Sequence, residues 1–151
     1  MLTRRLFLSS AAAAPATLGF ASAVAAQEPA FYSDGTAAIR GADPVAYFTE
    51  NRPVIGSEAF AAQWNDTTWH FASAQNRATF LADPEAHAPQ YGGYCAWAVS
   101  QGYTASVVPE AWEIVDGKLY LNYSHRIQRR WARDIPGHIA AGDANWPQVL
   151  N

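Results

Sequence analysis

The sequence predicts a small single α+β domain in which two β-hairpins form an antiparallel sheet packed by short helices. Three observations carry this. Alternating apolar runs flank Asn65-Asp66 and Asp116-Gly117, which supply hairpin turn chemistry. Ser73 and Ser124 stand where a hydroxyl can cap a helix that follows. No repeat, low-complexity tract or linker divides residues 27–151, a length suited to one core.

The first residues are set apart from that domain. Met1 to Leu8 carries Arg4 and Arg5, and a small apolar tract follows to Ala23-Val24-Ala25-Ala26. A charged start, a short apolar core and small residues before a polar one make up an export signal. Thr3-Arg4-Arg5-Leu6-Phe7-Leu8 resembles a twin-arginine leader, the kind used for proteins exported already folded. Residues 1–26 are therefore read as a signal peptide and 27–151 as the mature chain, placing it in the periplasm or outside the cell. Pro15 and Gly19 interrupt the tract, which is short for a span, and no later segment is apolar enough to cross a bilayer.

Removing the leader leaves eight basic against thirteen acidic residues, a formal charge of −5 that argues against nucleic-acid binding. The only methionine is Met1, which excludes a methionine-rich copper site. The single cysteine cannot form an internal disulfide, so stability must come from packing. Six tryptophans, seven tyrosines and seven phenylalanines supply the means.

Taken in order, Gln27 to Thr36 is polar and loose, with Phe31 and Tyr32 available to tie it down. Gly41 and Asp43-Pro44 make a turn into Val45-Ala46-Tyr47-Phe48, with Asp43 as turn or cap residue. Phe60, Ala62 and Trp64 face one way on the first hairpin arm. Trp69 and Phe71 do so on the second, which leaves His70 facing solvent. Ser73 caps a helix with Phe80 and Leu81 on its buried side, and Asp83-Pro84 ends it and starts a short turn carrying His87. Trp112 to Val115 and Lys118 to Tyr123 form the second hairpin. Ser124 caps a helix to about Asp134, with Ile127 and Trp131 inward and Arg126, Arg129, Arg130 and Arg133 on the opposite face. That cationic face suits solvent or an acidic partner. Gly137 starts a last helix, after which Trp146 can pack on the body.

Chemistry concentrates in Tyr91-Gly92-Gly93-Tyr94-Cys95-Ala96-Trp97. The glycine pair permits φ > 0 or close backbone approach and can present the Cys95 thiol on a sharp turn. A thiolate is a soft ligand, and copper(I) accepts few ligands, so copper is the favoured metal. Cys95 is its anchor, His87 the favoured second ligand, and Tyr91, Gly92, Gly93 and Tyr94 the wall of the site. A closed zinc site needs four good ligands, and His70, His87, His125 and His138 show none of the short spacings that build one. Two other readings stand beside soft-metal binding: a thiol redox protein using Cys95, and an interaction module whose cysteine is inert packing. Neither a cysteine-protease nor a Cys-x-x-Cys context is present, which points away from an enzyme.

From Asp43 to Tyr123 the chain resembles the YHS-domain family, and the whole mature chain its small exported bacterial members. The residues that carry the likeness are Gly41 to Phe48, Trp69 to Arg77 with Phe80 to Pro84, Pro89 to Ala96, and Asp116 to Tyr123. The resemblance implies a compact α+β unit with C-terminal helices that binds heavy metals, often beside metal transporters. Metal-binding relatives place cysteines where this chain has Ala46, Ala72 and Asn76, and His87 stands within the altered naming motif. In the exported subgroup the Gly-Gly-Tyr-Cys position is sometimes selenocysteine, which implies soft-metal or redox chemistry at Cys95.

Overall fold

The computed structural model describes residues 26–151, so the leader lies outside the described residues. The class is α+β, with two antiparallel hairpins and several short helices in one domain. Each hairpin is its own two-stranded sheet. The first joins β1 (Ser57–Trp64) to β2 (Thr67–Phe71), pairing Ala62 with Trp69, and its register shifts between Ser57 and Ala61. The second joins β3 (Trp112–Val115) to β4 (Lys118–Leu121), pairing Trp112 with Leu121. Asn65, Asp66, Asp116 and Gly117 all take positive φ, as two-residue hairpin turns matched to strand twist require.

Helices fill the rest. Helix α1 (Pro44–Thr49) starts at the Asp43 cap, and α2 (Ala74–Ala82) at Ser73, whose hydroxyl accepts from Asn76 N at 3.1 Å. Asp83 closes α2 and caps α3 (Pro84–His87). Next come α4 (Ala96–Ser100), α5 (His125–Trp131) capped by Ser124, and α6 (Ile135–Asn145). Among the described residues no helix is long and apolar enough to cross a membrane.

Three sequence expectations need correction. His70 is buried, because the turn at Ile39–Gly41 covers the outer face of β2, with Ala38 N donating to Thr68 O at 2.8 Å. Leu81 is exposed: Phe80 alone fills the inward position, and the next residue lies about 100° further round the helix. The last helix starts at Ile135, two residues before Gly137, because Asp134 is its cap and accepts from Gly137 N at 3.1 Å.

Two clusters make the core. One holds Ile39, Val45, Tyr47, Trp69, Phe71, Phe80, Cys95, Leu119 and Leu121; the other holds Tyr91, Tyr94, Val99, Tyr120, Trp131 and Leu150. Strand β4 serves both, since alternate side chains leave a strand on opposite faces. Leu119 and Leu121 go to one cluster and Tyr120 to the other.

Burial also sets an alkaline limit. It pushes up the phenols of Tyr47 and Tyr91 and takes Tyr94 from 10.0 to about 12, as it raises the Cys95 thiol from 9.0. Each group holds its proton more tightly folded than unfolded. Their contribution is therefore whole below the unfolded values and is lost as pH rises through the folded ones. Urea midpoints should stay level between about pH 7 and 9 and fall by about pH 11. A midpoint that does not fall would contradict this.

Candidate functional site

Cys95 is positioned by a run of left-handed backbone. Tyr91, Gly92 and Gly93 have φ of 55°, 60° and 78°, after which Tyr94 is extended and Cys95 occupies the cap position of α4. The glycines have a concrete reason to be there. A Cβ at Gly92 would collide with the Ala30 carbonyl oxygen, and one at Gly93 would lie 2.6 Å from Ile39 Cγ2. The carbonyl of Gly92 accepts from Tyr32 N at 2.8 Å, so the pair docks the segment around Phe31 against the body.

The thiol is 1 % exposed. Sγ–H donates to Asn122 Oδ1 at 3.5 Å, and Tyr123 N–H donates to Sγ at 3.3 Å. The same Asn122 oxygen accepts from Trp97 N at 3.1 Å, which fixes the amide. Asn122 is fully buried, and its Nδ2 has no partner among the described residues. Burial pushes the Cys95 thiol up, against the smaller opposing pull of the Ala98, Tyr123 and Trp97 backbone N–H groups. Cys95 is one of the residues lining an apolar recess of about 280 Å³, with Trp97, Ala98, Tyr103, Ala105, Tyr123 and Ile127. Tyr103 and Tyr123 are exposed, which gives the recess an aromatic rim.

The other expected site residues lie elsewhere. His87, on α3, has Nδ1 3.0 Å from Asp83 O and packs edge-on to Phe48; it is not part of the Cys95 recess. His138 Nδ1 sits 2.8 Å from Trp131 O, and His125 is exposed at the start of α5. Tyr91 and Gly92 line a separate recess, and Tyr94 a third. Tyr94 donates to Pro29 O at 2.8 Å and Tyr91 to Asp143 at 2.9 Å. Among the described residues no three His, Cys, Asp or Glu side chains stand together as a metal cluster.

Sequence reasoning missed Asn122 as the partner of the thiol, and the wall that Tyr103 and Tyr123 form with Ile127. The one available signal was an asparagine directly after the apolar strand Leu119–Leu121. Fold and site together define a small α+β domain with a buried thiol beside an apolar recess. Compared with family models, curated proteins and solved structures, the chain gives no match.

Proposed function

We propose that the chain is an exported YHS-type domain that handles a soft metal ion of the copper(I) class as cargo, with Cys95 as its one thiolate. The observation that supports this is the place of Cys95 on the lining of an apolar recess, with its sulfur accepting the Tyr123 N–H. On binding, the thiol proton would leave to solvent as the metal–sulfur bond forms, and the neighbouring N–H groups favour the resulting thiolate. Copper(I) is satisfied by two ligands, so the second comes from the donor or acceptor of the metal. A competition titration with copper(I) held by a coloured chelator, without oxygen, tests this. The wild type should take up one equivalent, and Cys95→Ser should bind at least about tenfold more weakly. Equal uptake by the two proteins would overturn the proposal.

A packing thiol is the second reading, favoured by the burial of Cys95 and its two hydrogen bonds. It predicts no copper uptake and labelling by thiol reagents only after denaturation. Peroxide chemistry fits least well, since a raised thiol pKa keeps the reactive thiolate scarce.

Docking to an acidic partner, such as a metal transporter, belongs to the same proposal. Arg126, Arg129, Arg130 and Arg133 are exposed, and none is ion-paired among the described residues. The Arg130 guanidinium lies 5.8 Å from the ring of Trp97, a wall of the Cys95 recess, so the cationic face adjoins the thiol. The protein should bind immobilised polyglutamate in spite of its net negative charge and be released between about 0.05 and 0.5 M salt. Retention unchanged in an Arg126→Glu, Arg133→Glu variant would remove the docking role.

A further inference from the structure

A recess of about 370 Å³ lies where the two core clusters meet and holds none of the residues that line the Cys95 recess. Four aromatic side chains from separate segments line it. Phe31 and Trp64 have ring centroids 5.1 Å apart, and Tyr91 and Trp146 are 6.1 Å apart. Phe31, Trp64 and Trp146 are only half-buried, so their rings remain available to a ligand. Among the described residues Glu85 is the only charged one on the lining, and the amides of Asn65 and Gln90 add polar groups.

We propose that this recess binds a small organic cation of the quaternary or methylated ammonium class. Aromatic faces carry negative potential, and a recess lined by several aromatic residues and one carboxylate is an environment in which a weakly hydrated cation gains. Tyr91 strengthens the effect. Its hydroxyl donates to the Asp143 carboxylate at 2.9 Å, which pushes electron density toward the ring. Burial and that hydrogen bond hold the phenol in its neutral form, so the ring keeps the geometry of a donor to Asp143. An anionic ligand would meet Glu85, and among the described residues no lysine or arginine on the lining offsets it. A bare metal ion would find one carboxylate where it needs several ligands. The volume admits a choline-sized group.

Choline is the probe, followed by tryptophan fluorescence and by calorimetry, and compared with its neutral isostere in which carbon replaces the nitrogen. Choline should bind saturably and at least about fivefold more tightly than the isostere. Glu85→Gln, a change at an exposed position, should weaken choline about three- to tenfold while leaving the melting temperature in place. Cys95→Ser should bind choline like the wild type, which separates this site from the thiol. No saturable binding of choline, or equal binding of the neutral isostere, overturns the proposal.

Discussion

Replacing Asp43 by alanine is expected to cost about 3–5 kcal/mol, a large share of the stability of a domain this size. The carboxylate is fully buried and accepts four hydrogen bonds. Oδ1 takes Val45 N at 2.9 Å and Ala46 N at 3.4 Å, which caps α1. Oδ2 takes Ala72 N at 2.9 Å and Asn76 Nδ2 at 2.7 Å, which ties α1 to the junction of β2 and α2. Loss of a cap alone costs about 1 kcal/mol. The larger part comes from buried donors left without an acceptor, and charge-assisted bonds are the stronger kind. Asp43→Asn keeps one acceptor oxygen but turns an amide group toward donors, so it should fall between alanine and wild type. Urea denaturation at unchanged slope measures the loss. A cost below about 1 kcal/mol for the alanine variant would show that water replaces the carboxylate.

Gly92→Ala is expected to cost about 2–4 kcal/mol, while Gly117→Ala should cost only about 1. Both glycines have positive φ, so both substitutions carry backbone strain. Only at Gly92 does the new methyl meet backbone, the Ala30 carbonyl, with Trp146 Cη2 a further neighbour at 3.1 Å. Relief would require moving the segment held by the Tyr32 N to Gly92 O hydrogen bond. At Gly117 nothing lies within 4 Å. The difference between the two variants isolates the close approach from the strain, and equal costs would mean that the segment around Ala30 yields freely. The glycine pair is thus explained by chain packing as well as by the presentation of the thiol.

These two positions mark what sequence could and could not reveal. Hairpins and caps are written in adjacent residues, so Asn65-Asp66, Asp116-Gly117, Ser73, Asp83 and Ser124 were legible. Asp43 was legible as a cap but not as a clamp, because its other partners lie 29 and 33 residues away. Helix α4 has five residues, too few to display a periodic pattern, and its N-cap, Cys95, accepts no capping bond from the first turn. The surroundings of Cys95 were least legible. Neighbours in sequence suggested a wall of Tyr91 to Tyr94, but Tyr91, Gly92 and Tyr94 line other recesses, and the sulfur meets Asn122 and the Tyr123 N–H instead. His70 shows the same limit on the strand, where strict alternation assigned a solvent face that a distant turn covers.

Strand β4 gives this small domain its cooperativity. Four residues long, it presents Leu119 and Leu121 to one cluster and Tyr120 to the other, all buried. Opening either cluster strips a face from the strand that supports its neighbour, so neither half has a stable partly unfolded form to fall back on. The two cores are therefore expected to melt as one unit, with tryptophan fluorescence and circular dichroism giving the same midpoint, and the recess at their seam to be lost with them.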